Sequence, residues 1–211
     1  MSITHHLDDA TLMSFAAGAL PNALAALAAT HIAMCARCRK EMALLEHVGA
    51  AVLTDLPAAA MSREPPAMPE REALPAEPRH RPAPGEVPEP LARLIGTGLD
   101  EVSWRWIGPG LWHRPLDIGG TGSLQLLRGA PSASVPEHDH GGSELTLVLR
   151  GALIDANGRY GPGDVADVDE TVHHHAPSAD PDAGCICVIA NESPTRFRGL
   201  LARLMQPWHG I

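Results

Sequence analysis

The sequence is short of aromatic and of basic side chains. Phe, Trp and Tyr make up 3% of its 211 residues, so any core must be built mainly from aliphatic side chains. The chain carries 16 Lys and Arg against 25 Asp and Glu, and acidic residues outnumber basic ones in each of the segments 1–56, 57–90 and 91–211. Proteins that bind nucleic acids neutralise phosphates with clusters of Lys and Arg. The charge balance therefore argues against direct nucleic-acid binding.

Long apolar runs are also missing. The sequence has no stretch of about 20 apolar residues, which argues against a membrane span. Its N-terminus lacks the basic start, apolar core and small-residue cleavage site of a secretory signal. We therefore expect a cytoplasmic protein. In that compartment the four cysteines stay reduced, which favours metal ligation over disulfides.

The first 56 residues have the composition of a small helical domain. Residues 4–20 predict a short helix with Asp8 and Asp9 near its start. The run from Pro21 to about Leu53, rich in Ala, Leu and Met, predicts a second helix. Domains of about this size bury little apolar surface and commonly need a metal or a disulfide to hold them together.

The second predicted helix carries three potential zinc ligands. His31, Cys35 and Cys38 are separated by four and three residues, so their side chains would project from one face of a helix. Imidazole and thiolate are ligands that Zn²⁺ prefers, and a structural site takes four of them. The adjacent His5 and His6 are candidates for the fourth ligand, and we favour His6. The alternative is that the two cysteines are ordinary core residues.

A proline-rich segment divides the chain. Residues 57–90 hold ten of its twenty prolines, interleaved with Glu, Arg and Ala. Because proline lacks the amide donor and restricts its neighbour, no long helix or strand is expected there. We interpret 57–90 as an extended linker between a helical domain over 1–56 and a second domain over 91–211.

Beyond the linker the pattern changes to that of an antiparallel β structure. Short apolar runs are separated by turn signals, such as Asn157-Gly158 and Gly161-Pro162-Gly163, at intervals of roughly 8–12 residues. This rhythm is typical of a sandwich or barrel. A short helix is predicted over 90–98 and strands over 102–106, 111–116, 123–127, 144–149, 152–154, 165–168 and 185–189, with 197–204 closing the sheet.

A second group of potential metal ligands lies between two of these strands. His138 and His140 are two residues apart, so their side chains share one face of an extended segment. Glu144 begins the next apolar strand and can point to the same centre. With a further imidazole, such residues would suit Zn, Fe, Mn or Ni. The alternative is that these are surface residues in loops.

The further imidazole would come from a run of three histidines, His173 to His175. On a strand His174 points opposite to its two neighbours, so only part of the run can face one site. The spacing from Gly163-Asp164 favours His174, whereas the local His-Ala-Pro sequence favours His175. We choose His174 and keep His175 as the alternative.

Together these features resemble a known family, the ChrR-type anti-sigma factors of the singlet-oxygen response. Residues 31–38 with an upstream histidine look like a zinc-binding anti-sigma domain, and residues from 100 onward look like a cupin. The resemblance covers nearly the whole chain outside the linker. The positions that match the two cupin motifs and a late cysteine pair are His138, His140, Glu144, Gly151, Gly163, Asp164, His174, Cys185 and Cys187.

The resemblance implies a multidomain α plus β fold, in which a small zinc-held helical bundle is followed by a C-terminal cupin-like antiparallel β-barrel. The helical domain would bind an extracytoplasmic-function sigma factor and keep it from RNA polymerase. The implied Zn²⁺ ligands of this domain are His6, His31, Cys35 and Cys38.

The resemblance gives the cupin domain a separate role. It would hold Zn²⁺ or another first-row divalent metal and would be needed for release of the sigma factor under singlet oxygen or related oxidative stress. The implied protein is a regulator and not an enzyme. The alternative is a metal-dependent cupin enzyme of the dioxygenase or isomerase type. Cys185 and Cys187 would share one strand face, either as reactive thiols or as core residues.

Overall fold

The computed structural model describes residues 2–59, 87–139, 141–171, 176–194 and 196–197 of the chain. Most of the predicted linker over 57–90 lies outside these residues, as do positions 198–204 of the last predicted strand. None of the helices in the described ranges combines the length and apolar character that a membrane span requires. The helices are α1 (Asp9–Ala16), α2 (Asn22–Met34), α3 (Ala36–Asp55) and α4 (Glu89–Ile95), followed by a 3₁₀ turn at Leu99–Glu101.

The first helix is shorter than the predicted 4–20. It begins after Asp8, whose carboxylate accepts a hydrogen bond from the backbone N–H of Thr11 at 2.6 Å and so caps the helix. It ends before Gly18, which has a positive φ of 67° that suits glycine after a helix. The residues before Asp8 do not extend the helix, because backbone N–H groups of this segment donate to Asp164 and Asp167 at the sheet edge.

The prediction of a single helix from Pro21 to Leu53 is wrong, because the chain forms two helices that separate at Cys35. This residue has extended backbone angles, φ −96° and ψ 113°. Its sulfur accepts a hydrogen bond from the backbone N–H of Cys38 at 3.5 Å and so caps α3. The surrounding residues have high helix propensity and include no glycine or proline near the break, so propensity offered no sign of it.

Short strands form three antiparallel sheets in the described part of the chain. Predicted strands 111–116 and 165–168 match β2 and β8 to the residue, and the strands predicted over 102–106, 123–127, 144–149, 152–154 and 185–189 have one or both bounds shifted by one to three residues. The strands are β1 (Arg105–Gly108), β2 (Leu111–Leu116), β3 (Ser123–Gly129), β4 (His138–Asp139), β5 (Glu144–Gly151), β6 (Leu153–Asp155), β7 (Gly158–Tyr160), β8 (Val165–Val168), β9 (Ser178–Ala179), β10 (Cys185–Asn191) and β11 (Arg196–Phe197).

The largest sheet has six strands in the order β1-β2-β3-β10-β5-β8. The two smaller sheets pair β11 with β4 and place β6 between β7 and β9. Every strand pairing is antiparallel, as the turn pattern predicts. No sheet closes on itself within the residues that the structure describes, so the closed barrel stays a prediction.

Helix α2 packs against one face of the six-stranded sheet. Its Leu24 and Leu27 share a hydrophobic core with Leu126, Leu147 and Val188 of the three central strands. All five side chains are buried. The N-terminal helices therefore bury apolar side chains against the sheet as well as against one another.

The opposite face of the same sheet lines a second interior. Along β10 successive side chains alternate, so Cys187 points away from α2 and packs with Val148 in a separate cluster. On the neighbouring β5, the buried Glu144 and Thr146 lie on this second side as well. This interior contains buried polar side chains among the apolar ones. Such a composition is typical of a ligand-binding cavity, whereas a hydrophobic core is mostly apolar.

Candidate metal centre

Two histidines and two cysteines meet where α2 ends and α3 begins. One donor atom from each of His6, His31, Cys35 and Cys38 lies within 4.8 Å of all the others. His31 Nε2 is 3.3 Å from the sulfur of Cys38, and His6 Nδ1 is 3.2 Å from the sulfur of Cys35 and 3.8 Å from that of Cys38. The structure thus brings together the four residues predicted as zinc ligands.

The break at Cys35 is what allows these side chains to meet. A straight helix would separate residues 31 and 38 by about 10 Å along its axis, which is too far for both to bind one ion. The break turns α3 back, so that Cys38 in its first turn faces His31 in the last turn of α2. The expectation that the three residues share one face of one helix is therefore wrong, although the ligand set that it suggested is the one that assembles.

Burial controls the protonation of the cluster. It lowers the pKa of His31 from 6.5 to about 4, so the imidazole is neutral near pH 7 and has a lone pair to offer. Burial also raises the pKa of Cys38 to about 12, and the adjacent Cys35 adds to that rise. A thiolate here needs a cation to balance its charge, and a bound metal ion would supply that charge.

The donor set fits zinc. With Zn–S bonds of about 2.3 Å and Zn–N bonds of about 2.0–2.1 Å, the donors of a tetrahedral site lie roughly 3.3–3.8 Å apart. The nitrogen–sulfur distances of 3.2, 3.3 and 3.8 Å lie inside this range or within 0.1 Å of it. Two thiolates and two imidazoles would fill all four positions and leave none open for a substrate, as in structural sites. Zinc binding itself stays a prediction.

The other ring nitrogen of His31 reaches the sheet. Its Nδ1 is 3.0 Å from the carbonyl oxygen of Gly163, in the turn before β8. Because a carbonyl oxygen only accepts, Nδ1 carries the hydrogen, and Nε2 faces Cys38 with its lone pair. Metal-binding histidines are commonly oriented in this way. This contact is not predictable from local sequence because the two residues are 132 positions apart. The turn sequence Gly161-Pro162-Gly163 marks one of its two sides.

His5, the other candidate for the fourth ligand, lies outside the cluster. Its ring packs against that of Tyr160 with the centroids 4.2 Å apart. Its Nδ1 is 3.6 Å from a carboxylate oxygen of Asp164. In an extended segment adjacent side chains point to opposite sides, so His6 faces the cysteines while His5 faces the sheet edge.

The second predicted metal site is described only in part. His140 and His173 to His175 lie outside the described residues, so neither His174 nor its alternative His175 can be placed. His138 and Glu144 are both buried. His138 Nδ1 donates to the carbonyl oxygen of Pro136 at 2.8 Å, which leaves the lone pair on Nε2, and Thr146 donates to Glu144 at 3.4 Å. These features suit a metal site, which stays a prediction.

Cys185 and Cys187 are both buried on the inner side of β10. A hydrogen bond with Cys185 and burial raise the pKa of Cys187 well above that of an ordinary thiol. Because the thiolate is the reactive form, this rise favours the interpretation of Cys187 as a core thiol.

Comparison with known proteins finds similarity in the sheet part of the chain and over its whole length. Residues 93–194 match a family described as the ChrR cupin-like domain. The whole chain is similar to the anti-sigma-E factor ChrR of Cereibacter sphaeroides, with 36% identity over 215 residues that cover 100% of both chains. Among solved structures it is similar to the complex of Rhodobacter sphaeroides SigE with the anti-sigma factor ChrR. That match has a TM-score of 0.74 and 34% identity, and it covers 90% of this chain and 100% of the other.

Proposed function

This chain belongs to the ChrR family of anti-sigma factors, and we propose that it binds an extracytoplasmic-function sigma factor and keeps that factor from RNA polymerase. The observation that carries this proposal is the similarity over 90% of the chain to a ChrR molecule solved together with SigE. The similarity includes the N-terminal helices as well as the cupin-like sheets. This matters because a cupin-like fold alone supports many unrelated functions.

The second half of α3 offers a surface for the sigma factor. Leu44, Val48 and Val52 follow one another at intervals of four residues and form an apolar strip. Their exposed fractions are between 54% and 65%. The strip continues the side of α3 on which Cys38 is buried and Leu45 packs against the core. An apolar face of this kind commonly marks a protein-binding site, and we propose that the sigma factor covers it.

Zinc at the four-residue cluster would set the position of this strip. His6 comes from the segment before α1, His31 from α2, and the two cysteines from the start of α3. A single ion held by all of them would fix the angle between α2 and α3 and would balance the charge of two thiolates. We therefore assign the zinc centre a structural role in sigma-factor binding.

We assign residues 91–211 a different task, with 57–90 as the connection. His138 and Glu144, both buried, support a second divalent metal there, together with His140 and His174. This domain would be needed for release of the sigma factor under singlet oxygen or related oxidative stress. Inhibition itself would remain with the helices of residues 1–56. The complex would form in the cytoplasm, where RNA polymerase acts.

The proposed function is tested by purification of the full chain with an extracytoplasmic-function sigma factor from the same organism. We expect a one-to-one complex that contains zinc, and we expect added chain to inhibit transcription by RNA polymerase holding that sigma factor. A folded, zinc-containing chain that forms no complex with any such sigma factor of the organism would contradict the proposal.

Glu144→Ala tests the division of labour. We expect this variant to lose the metal of the cupin-like domain and to bind the sigma factor with unchanged affinity, because Glu144 lies on the sheet face opposite α2. Release of the sigma factor during illumination with a photosensitiser should become several-fold slower. Thr146→Val, which removes the hydroxyl next to Glu144 without removing the carboxylate, is the control. Loss of inhibition in Glu144→Ala would contradict the assignment.

A further inference from the structure

One buried carboxylate of the sheet domain holds the start of the chain. Asp164, in the turn between β7 and β8, accepts hydrogen bonds from the backbone N–H groups of Thr4 at 2.6 Å and His5 at 2.9 Å. It also accepts one from the N–H of Gly161 at 2.8 Å, within its own turn. Hydrogen bonds to a charged acceptor are stronger than neutral ones. The carboxylate thus joins the turn to residues that lie about 160 positions earlier in the chain.

A second carboxylate, on β8 itself, fixes the other end of this segment. The backbone N–H of Asp8 donates to Asp167 of β8 at 3.1 Å, and the N–H of Val165 faces the carbonyl oxygen of His5 at 3.4 Å. Residues 4–8 therefore lie along β8, an edge strand of the six-stranded sheet. His6 sits between the two anchored positions, so the sheet edge determines where its imidazole is held.

The same turn also contacts a ligand of the metal centre directly. The carbonyl oxygen of Gly163 accepts from Nδ1 of His31, as described above. Gly163 has a φ of +92°, and a Cβ there would lie 2.7 Å from the Cδ1 atom of Ile3. Only glycine lets the turn, the N-terminal segment and α2 approach this closely. Both histidine ligands are thus positioned by the sheet domain.

From these contacts we infer that the turn 161–164 is the outer coordination shell of the metal centre, and that Asp164 is a positioning residue that determines how tightly zinc is held. The inference rests on the proposed zinc binding and adds a physical connection between the two domains. A shift of this turn would move both histidines away from the thiolates at once. By linkage, zinc at the cluster also stabilises the present position of the turn.

The test is the rate at which the full chain, loaded with zinc, gives up its metal to excess chelator, followed by the absorbance of a chromogenic zinc indicator. Asp164→Asn keeps the shape of the side chain but replaces one acceptor oxygen by an N–H donor. Loss of an outer-shell partner typically costs about 10–100-fold in metal affinity, and we expect zinc release from the helical site to accelerate by a similar factor.

Asp180→Asn is the matched control. Asp180 is as buried as Asp164, with 6% against 5% exposed, and it also accepts backbone N–H groups of its own turn, from Asp182 and Ala183. Within the described part of the chain, the hydrogen bonds of Asp180 stay in the sheet domain. We expect zinc release from Asp180→Asn at the rate of the unaltered chain.

A second variant separates positioning from folding of the sheet domain. Thr4→Pro removes both the N–H and the hydroxyl that donate to Asp164 but changes no residue of the sheets, and we expect it to accelerate zinc release as well. If both Asp164→Asn and Thr4→Pro release zinc at the rate of Asp180→Asn, this inference is overturned, whereas the proposed zinc centre is not affected. An unaltered chain that purifies without zinc would instead remove the zinc proposal, and this inference with it.

Discussion

Cys38→Ser is expected to remove zinc from the helical site and, with it, binding of the sigma factor. Apparent zinc-binding free energies of about 10–16 kcal/mol are shared by four ligands in structural sites, so loss of one thiolate should cost about 2.5–4 kcal/mol, or roughly 60- to 700-fold in zinc affinity. Cys38 holds the first turn of α3 against His31. Without it the angle of α3, and the position of the apolar strip, are no longer fixed by the metal.

The measurement is zinc content together with the affinity of the full chain for the sigma factor. Cys187→Ser is the matched control, because Cys187 is an equally buried thiol on the inner face of the sheet. We expect the control to keep its zinc and its sigma-factor affinity. Retained sigma-factor affinity in a Cys38→Ser chain without zinc would show that the metal is not needed for binding.

The double variant Val48→Glu with Val52→Glu is expected to abolish sigma-factor binding while zinc stays in place. Each valine that becomes buried in a complex contributes about 1.5–3 kcal/mol, so both together account for roughly 3–6 kcal/mol, or at least about 100-fold in affinity. The two added carboxylates must also be desolvated, which makes the loss larger. Neither valine touches the metal cluster, because both lie in the exposed second half of α3.

Ala43→Glu with Ala50→Glu is the control for this variant. Both alanines are exposed in α3, and at about 100° per residue they lie on the side of the helix opposite the strip. The control adds the same charge to the same helix, so it should bind the sigma factor almost normally. Equal losses in the two double variants would indicate a general charge effect, and no loss in either would exclude the strip as the docking surface.

The two variants separate the two requirements for binding. Cys38→Ser removes the metal and leaves the apolar strip chemically intact, whereas Val48→Glu with Val52→Glu removes the strip and leaves the metal. If zinc acts by orienting α3, both should lose the sigma factor, but only the first should lose zinc. Loss of zinc in the second variant would mean instead that α3 had misfolded.

The strands of this protein are largely predictable from local sequence. β2 and β8 match their predicted bounds because each is a short, largely apolar run that a glycine turn precedes, so a few residues of chain define it. The ligand set was also suggested by residue type and spacing, since His31, Cys35 and Cys38 are close in the sequence. Local pattern was misleading at Cys35, because Ala, Leu and Met favour a continuous helix there.

The tertiary structure decided how the metal ligands, the helices and the sheet are arranged relative to one another. The sequence by itself determined which residues can bind a metal and which segments form strands, since both depend on neighbours along the chain. The packing of α2 on the sheet and the contact of His31 with Gly163 depend on residues about a hundred or more positions apart. No local propensity reports such contacts, because they arise only when distant segments bury their apolar faces and satisfy their backbone groups in one core.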